Sequence, residues 1–107
     1  NTMRSLLAAA AVSLLVASPA GLAAGDAAAG RVKSESCLGC HGIPTYHNTY
    51  PTYHVPKISG QQADYIVAAL KAYRDNQRNH PTMNAQALSM SEQDMVDIAA
   101  FWQGQGK

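Results

Sequence analysis

The run Cys37-Leu38-Gly39-Cys40-His41 constrains this chain more than any other feature, because it holds both cysteines of a 107-residue sequence. A chain of that length has room for one domain. Domains so small have thin cores and often need a staple or a bound group. A single pair of cysteines cannot make a disulfide framework, so something else must fill the middle. The same pentapeptide points to it. Two thiols three positions apart share one side of a helical turn, so each can add to one vinyl group of the same porphyrin. His41 then lies under the ring with its imidazole directed at the iron. Cys-x-x-Cys-His is the signature of covalent haem attachment.

Three other readings compete. A thioredoxin-like dithiol uses the same Cys-x-x-Cys but belongs beside a βαβ pattern, and the sequence has none. A zinc site needs four ligands; there is no second cysteine pair, and His47 and His54 lack finger spacing. A chance match is the third.

Residues 1–23 read as a secretory signal peptide with a short extension ahead of Met3, followed by one domain over 24–107. Arg4 supplies the positive charge, Leu6 to Val16 is apolar or small, and Ser18 to Ala24 is a small-residue exit. The apolar run is about half of the ~20 residues a spanning helix needs, so cleavage is expected, after Ala23 or at the neighbouring Ala20 or Ala24, with no stable membrane insertion afterwards. Without Arg4, the seven remaining Lys and Arg balance the seven Asp and Glu. There is no basic stripe for nucleic acid and no acidic tail.

Along the domain, Asp26 is placed to cap a helix over Ala27 to Glu35. Pro44, Pro51 and Pro56 forbid a regular helix between the motif and Gly60. Tyr65, Ile66, Ala69, Leu70 and Tyr73 recur at helical spacing between Gln61 and Arg74. A loop is expected from Asp75 to Ser89. Ser91-Glu92-Gln93-Asp94 resembles a capping box with Asp in place of Glu, ahead of an apolar stripe of Met95, Ile98, Ala99 and Trp102. No stretch alternates as a strand. The expected fold is all-α, with three main helices and two long loops, and loops of that length usually carry function.

These residues together resemble the class I c-type cytochromes, and among them the bacterial monohaem c553/c5 kind and the single domains of cytochrome c4. The matching segments are Cys37 to Gly42, Val55 to Gln61, Tyr65 to Arg78, Pro81 to Met83, and Leu88 to Phe101. They span nearly all of 24–107. The resemblance implies a cytochrome c fold wrapped around one covalent haem c with its iron. It also implies export to the periplasm, where bacteria attach such haem, and a Pro56 carbonyl that accepts a hydrogen bond from His41. Pro56 can equally serve to stiffen its loop. Gly30 and Phe101-Trp102 would mark the crossing of the first and last helices.

The sixth iron ligand sets the redox character. Met83 matches the family's ligand position in the expected loop, and a thioether favours ferrous iron relative to a second histidine. His80, three residues away, is the chief alternative and Met90 a weaker one; Met95 fits the core instead. Arg78 either pairs with a haem propionate or is a solvated surface residue. Tyr46, Tyr50, Tyr53, His47 and His54 suit no catalytic constellation and are expected to pack at the haem edge.

With both axial positions filled, the chain reads as an electron carrier between respiratory partners and not an enzyme. Docking is expected to be transient, at an apolar patch of Leu38, Ile43 and Pro44, by a monomer or weak homodimer. A haem sensor, gas-binding or peroxidase-like protein with a labile sixth ligand is the alternative.

Overall fold

Short polar side chains set where the helices begin. In the computed structural model, which describes residues 24–106, the Asp26 carboxylate accepts from the amides of Ala28 and Ala29 at 2.9 and 3.3 Å. These are donors the first turn leaves without partners. Helix α1 (Ala27–Lys33) follows, and a turn at Ser34 separates it from α2 (Glu35–His41). The one helix expected to Glu35 is therefore two, and the cysteine motif rides on the second. The expected signal segment, 1–23, lies outside the described residues.

The section after the motif is not wholly irregular. β1 (His47–Thr49) and β2 (Thr52–His54) pair antiparallel, with His47 opposite His54, Asn48 opposite Tyr53 and Thr49 opposite Thr52. The Val55 amide extends the ladder by donating to the Tyr46 carbonyl at 3.0 Å. Strands of three residues are too short to show an alternating pattern in the sequence.

Helix α3 (Ala63–Arg74) leads to a second departure, α4 (Pro81–Leu88), in the stretch expected to be loop. Pro81 occupies the first turn, where proline's missing N–H costs nothing and its φ suits the helix. α5 (Glu92–Gln103) starts in the anticipated capping box: Ser91 Oγ accepts from the Asp94 amide at 3.1 Å, and the Asp94 carboxylate accepts from the Ser91 amide at 2.9 Å.

The core lies where α3 faces α5. Ile66 and Leu70 pack with Met95, Ile98, Ala99, Phe101 and Trp102, the stripe helical spacing places on one face. α1 crosses α5 at Gly30, which is buried; a Cβ there would overlap the Asp97 carbonyl and sit 3.0 Å from Phe101 Cβ. Beside the crossing, the buried Asp97 carboxylate accepts from the Asp26 amide at 3.0 Å, Lys33 Nζ at 2.6 Å and Gln93 Nε2 at 2.9 Å. These donors, the Asp26 amide first, hold its pKa down at about 2. A carboxylate inside the apolar stripe is tolerated because both oxygens are partnered. Gly60 (φ +79°), in a conformation that favours glycine, ties its loop to α5 by donating to the Trp102 carbonyl at 2.9 Å. Among the described residues, no helix is long and apolar enough to cross a membrane.

Candidate functional site

With α1 and α5 crossed and α3 laid against α5, the inner faces of α2, α4 and the hairpin are left looking at one another across a gap. That gap is a cavity of about 320 Å³, within the range of small-molecule and cofactor sites. α2 contributes Ser36, Cys37, Cys40 and His41. β2 adds Tyr53 and the loop after it Val55, Pro56 and Ile58; α3 adds Tyr65, Ile66, Ala69, Leu70 and Tyr73. Arg78, His80, Thr82, Met83, Gln86 and Met90 close the opposite side, with Ile98 and Trp102 at the floor. All six residues singled out in the sequence as cofactor-binding, Cys37, Cys40, His41, Pro56, Arg78 and Met83, line this one space.

His41 is held on one side. Its Nδ1–H donates to the Pro56 carbonyl at 2.7 Å, which leaves Nε2 as the nitrogen with a free lone pair. Trp102 meets the same imidazole edge-on, ring centroids 6.4 Å apart. Cys37 and Cys40 are half-buried free thiols. Burial pushes the Cys37 thiol up, with smaller opposing pulls from the hydroxyls of Ser36 and Ser34. A thioredoxin-like nucleophile needs the reverse, a thiol pKa lowered by its surroundings, and the described sheet is a two-stranded antiparallel hairpin with no βαβ unit.

Met83 sits in the first turn of α4, half-buried against the core, and not in a loop. Met90 lines the cavity too, whereas Met95 is fully buried in the core. His80 is the residue that caps α4. Its ring packs edge-on against Tyr53 at 4.6 Å, and its buried Nδ1 has no hydrogen-bond partner among the described residues. Arg78 stands at the cavity wall with its guanidinium stacked over the Tyr73 ring at 4.6 Å, and among the described residues it pairs with no carboxylate. The tyrosine and histidine cluster divides. Tyr53 lines the cavity, while Tyr46, Tyr50, His47 and His54 are not part of its lining; Tyr46 is half-buried, Tyr50 is 95% exposed, and His47 and His54 are exposed.

Several further residues position the site without a clear mark in the sequence. Asn84 accepts from the His80 amide at 2.9 Å and donates to the carbonyls of Tyr73 and Arg78 at 2.7 and 2.9 Å, pinning the turn between α3 and α4. Tyr53 and Thr82 share a hydroxyl hydrogen bond of 3.2 Å, and Ser36 Oγ donates to Gln86 at 3.2 Å. These two bonds join the hairpin and α2 to α4 around the cavity. An asparagine shortly after a proline helix start is a weak hint of such a role; nothing in sequence spacing signals the other two pairs.

The residues present fit a covalently held haem. Two free thiols and an imidazole with one nitrogen committed to a carbonyl share a wall with apolar side chains, two thioethers lie in the same lining, and two of its residues carry buried nitrogens without partners, His80 Nδ1 and Trp102 Nε1. A largely apolar lining with orphaned polar atoms suits a group that is mostly hydrophobic yet polar at points.

Comparison with known proteins agrees. The family model described as cytochrome c matches residues 27–104. The chain is 42% identical over 85 residues to cytochrome c-554(548) of Halomonas halodenitrificans, covering 77% of this chain and 99% of that protein. It is 36% identical over 83 residues to cytochrome c4 of Pseudomonas aeruginosa, and 34% identical over 84 residues to cytochrome c4 of Thiocapsa roseopersicina. Each of these matches covers 78% of this chain. The chain spans only 40% and 42% of those two proteins' lengths.

Proposed function

Since the chain belongs to the cytochrome c family of electron carriers, whose members bear covalent haem c, we propose that it is a periplasmic single-haem carrier with His41 and Met83 as its axial iron ligands. The observation that carries this reading is the His41–Pro56 hydrogen bond of 2.7 Å in a cavity that also takes in both motif cysteines and Met83. Haem c supplies the ferric/ferrous couple that accepts and returns one electron.

The chain's own residues have separable tasks. Cys37 and Cys40 hold the porphyrin edge to α2 as thioethers. Pro56 fixes the His41 tautomer and ring orientation through its carbonyl, and the bond strengthens the imidazole as a donor. Met83 offers a soft sulfur that raises the potential relative to a second histidine. Ile66, Leu70, Ile98 and Trp102 exclude water, which lowers the local dielectric and keeps the surroundings unchanged between redox states. Arg78, in the cavity lining, would offer a propionate a planar fork of donors. Leu38 and Ile43, 36% and 48% exposed, form with Pro44 the apolar surface at which redox partners dock transiently. Residues 1–23 direct export and are removed.

His80 supports a second reading, bis-histidine ligation, because its buried Nδ1 is unpartnered in the same lining. The test is the absorption spectrum of the oxidised protein into the near infrared. A weak sulfur-to-ferric-iron band that vanishes in Met83→Ala but survives His80→Ala upholds Met83. A low-spin spectrum without that band, lost in His80→Ala, replaces it with His80. A high-spin spectrum overturns a six-coordinate carrier altogether.

A further inference from the structure

The hairpin turns Tyr53 toward the haem cavity and places two histidines opposite one another away from that lining. His47 and His54 are direct cross-strand partners. The Val55 amide bonds to the Tyr46 carbonyl, which puts Tyr46 and Val55 at a hydrogen-bonding position of the ladder. By the alternation of antiparallel ladders, His47 and His54 occupy a non-hydrogen-bonded pair, the class in which facing side chains come closest. Their ring centroids are 4.7 Å apart, with planes tilted by 52°.

From this geometry we infer that His47 and His54 form a two-imidazole site for a divalent transition-metal ion, of the kind typified by Cu²⁺. With metal–nitrogen bonds of about 2.0 Å, two imidazoles on one ion have centroids roughly 4.5 Å apart at a right angle and about 5.1 Å at the tetrahedral angle. The observed separation falls between the two. His47 is prepared for the role, since its Nδ1–H donates to the Thr45 carbonyl at 3.0 Å. That bond orients the ring and leaves Nε2 with its lone pair, as the outer hydrogen bonds of metal-binding histidines do. Both residues are exposed, so an ion reaches them without opening the fold. Imidazole nitrogen suits copper, nickel and zinc, and copper binds most strongly in that series. Among the described residues no group of three or more His, Cys, Asp or Glu is arranged to hold a metal, so water completes the coordination sphere.

The test is titration of Cu²⁺ into the ferric, haem-loaded protein, followed by electron paramagnetic resonance and equilibrium dialysis. The expected result is one copper per chain with coupling to two imidazole nitrogens. His47→Asn and His54→Asn should each weaken binding at least about tenfold, because a chelate becomes a single-point contact. An unchanged haem spectrum in both variants would show that the fold is intact. Absence of binding, copper retained equally by both variants, or a signal with at most one imidazole nitrogen would overturn the assignment.

Discussion

Replacing Gly30 by alanine sets two well-known effects against each other. Inside a helix the change normally stabilises by about 1 kcal/mol, because alanine loses less backbone freedom on folding. Here the new Cβ would meet the α5 backbone, overlapping the Asp97 carbonyl oxygen and lying 2.5 Å from its carbon. Carbon atoms rest at about 3.5–4.0 Å, so α1 and α5 would have to part by about 1 Å. The obstacle is main chain, which no rotamer change relieves. Separation would also stretch the Asp26–Asp97 and Lys33–Asp97 hydrogen bonds. Overpacking of this kind costs about 1–3 kcal/mol, and rigid backbone on both sides puts Gly30→Ala at the upper end, a net loss of about 2 kcal/mol after the helix gain. In a domain of this size that is a fall of about 8–16 °C in Tm, measurable by far-ultraviolet circular dichroism on the haem-loaded protein. Phe101→Ala should not rescue it, since the clash is with backbone. A Gly30→Ala protein as stable as the parent would refute the close crossing.

Ser91→Ala should remove the capping box of α5 and cost about 1 kcal/mol, seen as a few degrees of Tm; an unchanged Tm would mean the box is idle. Met95→Ala, at a site with no exposed surface, should cost about 2–5 kcal/mol in denaturant unfolding. Asp97 gives an acid limit to stability. Its pKa is depressed in the fold from 3.8 to about 2, so its contribution is present above the unfolded value and is lost as pH falls through the folded one. Unfolding free energy measured from pH 5 to pH 2 should decline more steeply in the parent than in Asp97→Asn, and parallel curves would refute the linkage. Ile43→Asp should slow electron exchange with a redox partner while leaving the haem spectrum unchanged; stopped-flow rates equal to the parent's would remove Ile43 from the docking surface.

What the sequence determined is what short stretches of chain decide alone. The pentapeptide Cys37 to His41 carries its chemistry in its spacing. Asp26 and Ser91 cap the helices they precede because capping needs only a side chain and the next few amides. The apolar stripes of α3 and α5 are written at helical period: Ile66 and Leu70 of α3 and Met95, Ile98, Ala99 and Trp102 of α5 are core residues by spacing alone, whereas Tyr65, at the edge of the α3 stripe, is 55% exposed. Tertiary structure decided the rest. α4 has no strong apolar stripe, so the stretch from Asp75 to Ser89 reads as loop; its helix starts at Pro81, after a turn held by Asn84 reaching back to the Tyr73 carbonyl. The hairpin consists of polar three-residue strands that exist because Tyr46 and Val55 pair and Tyr53 reaches Thr82. Asp97, a carboxylate within an apolar stripe, became tolerable only when α1 brought the Asp26 amide and Lys33 to it. Each of these depends on partners distant in the chain, and a pattern confined to neighbouring residues carries no record of them.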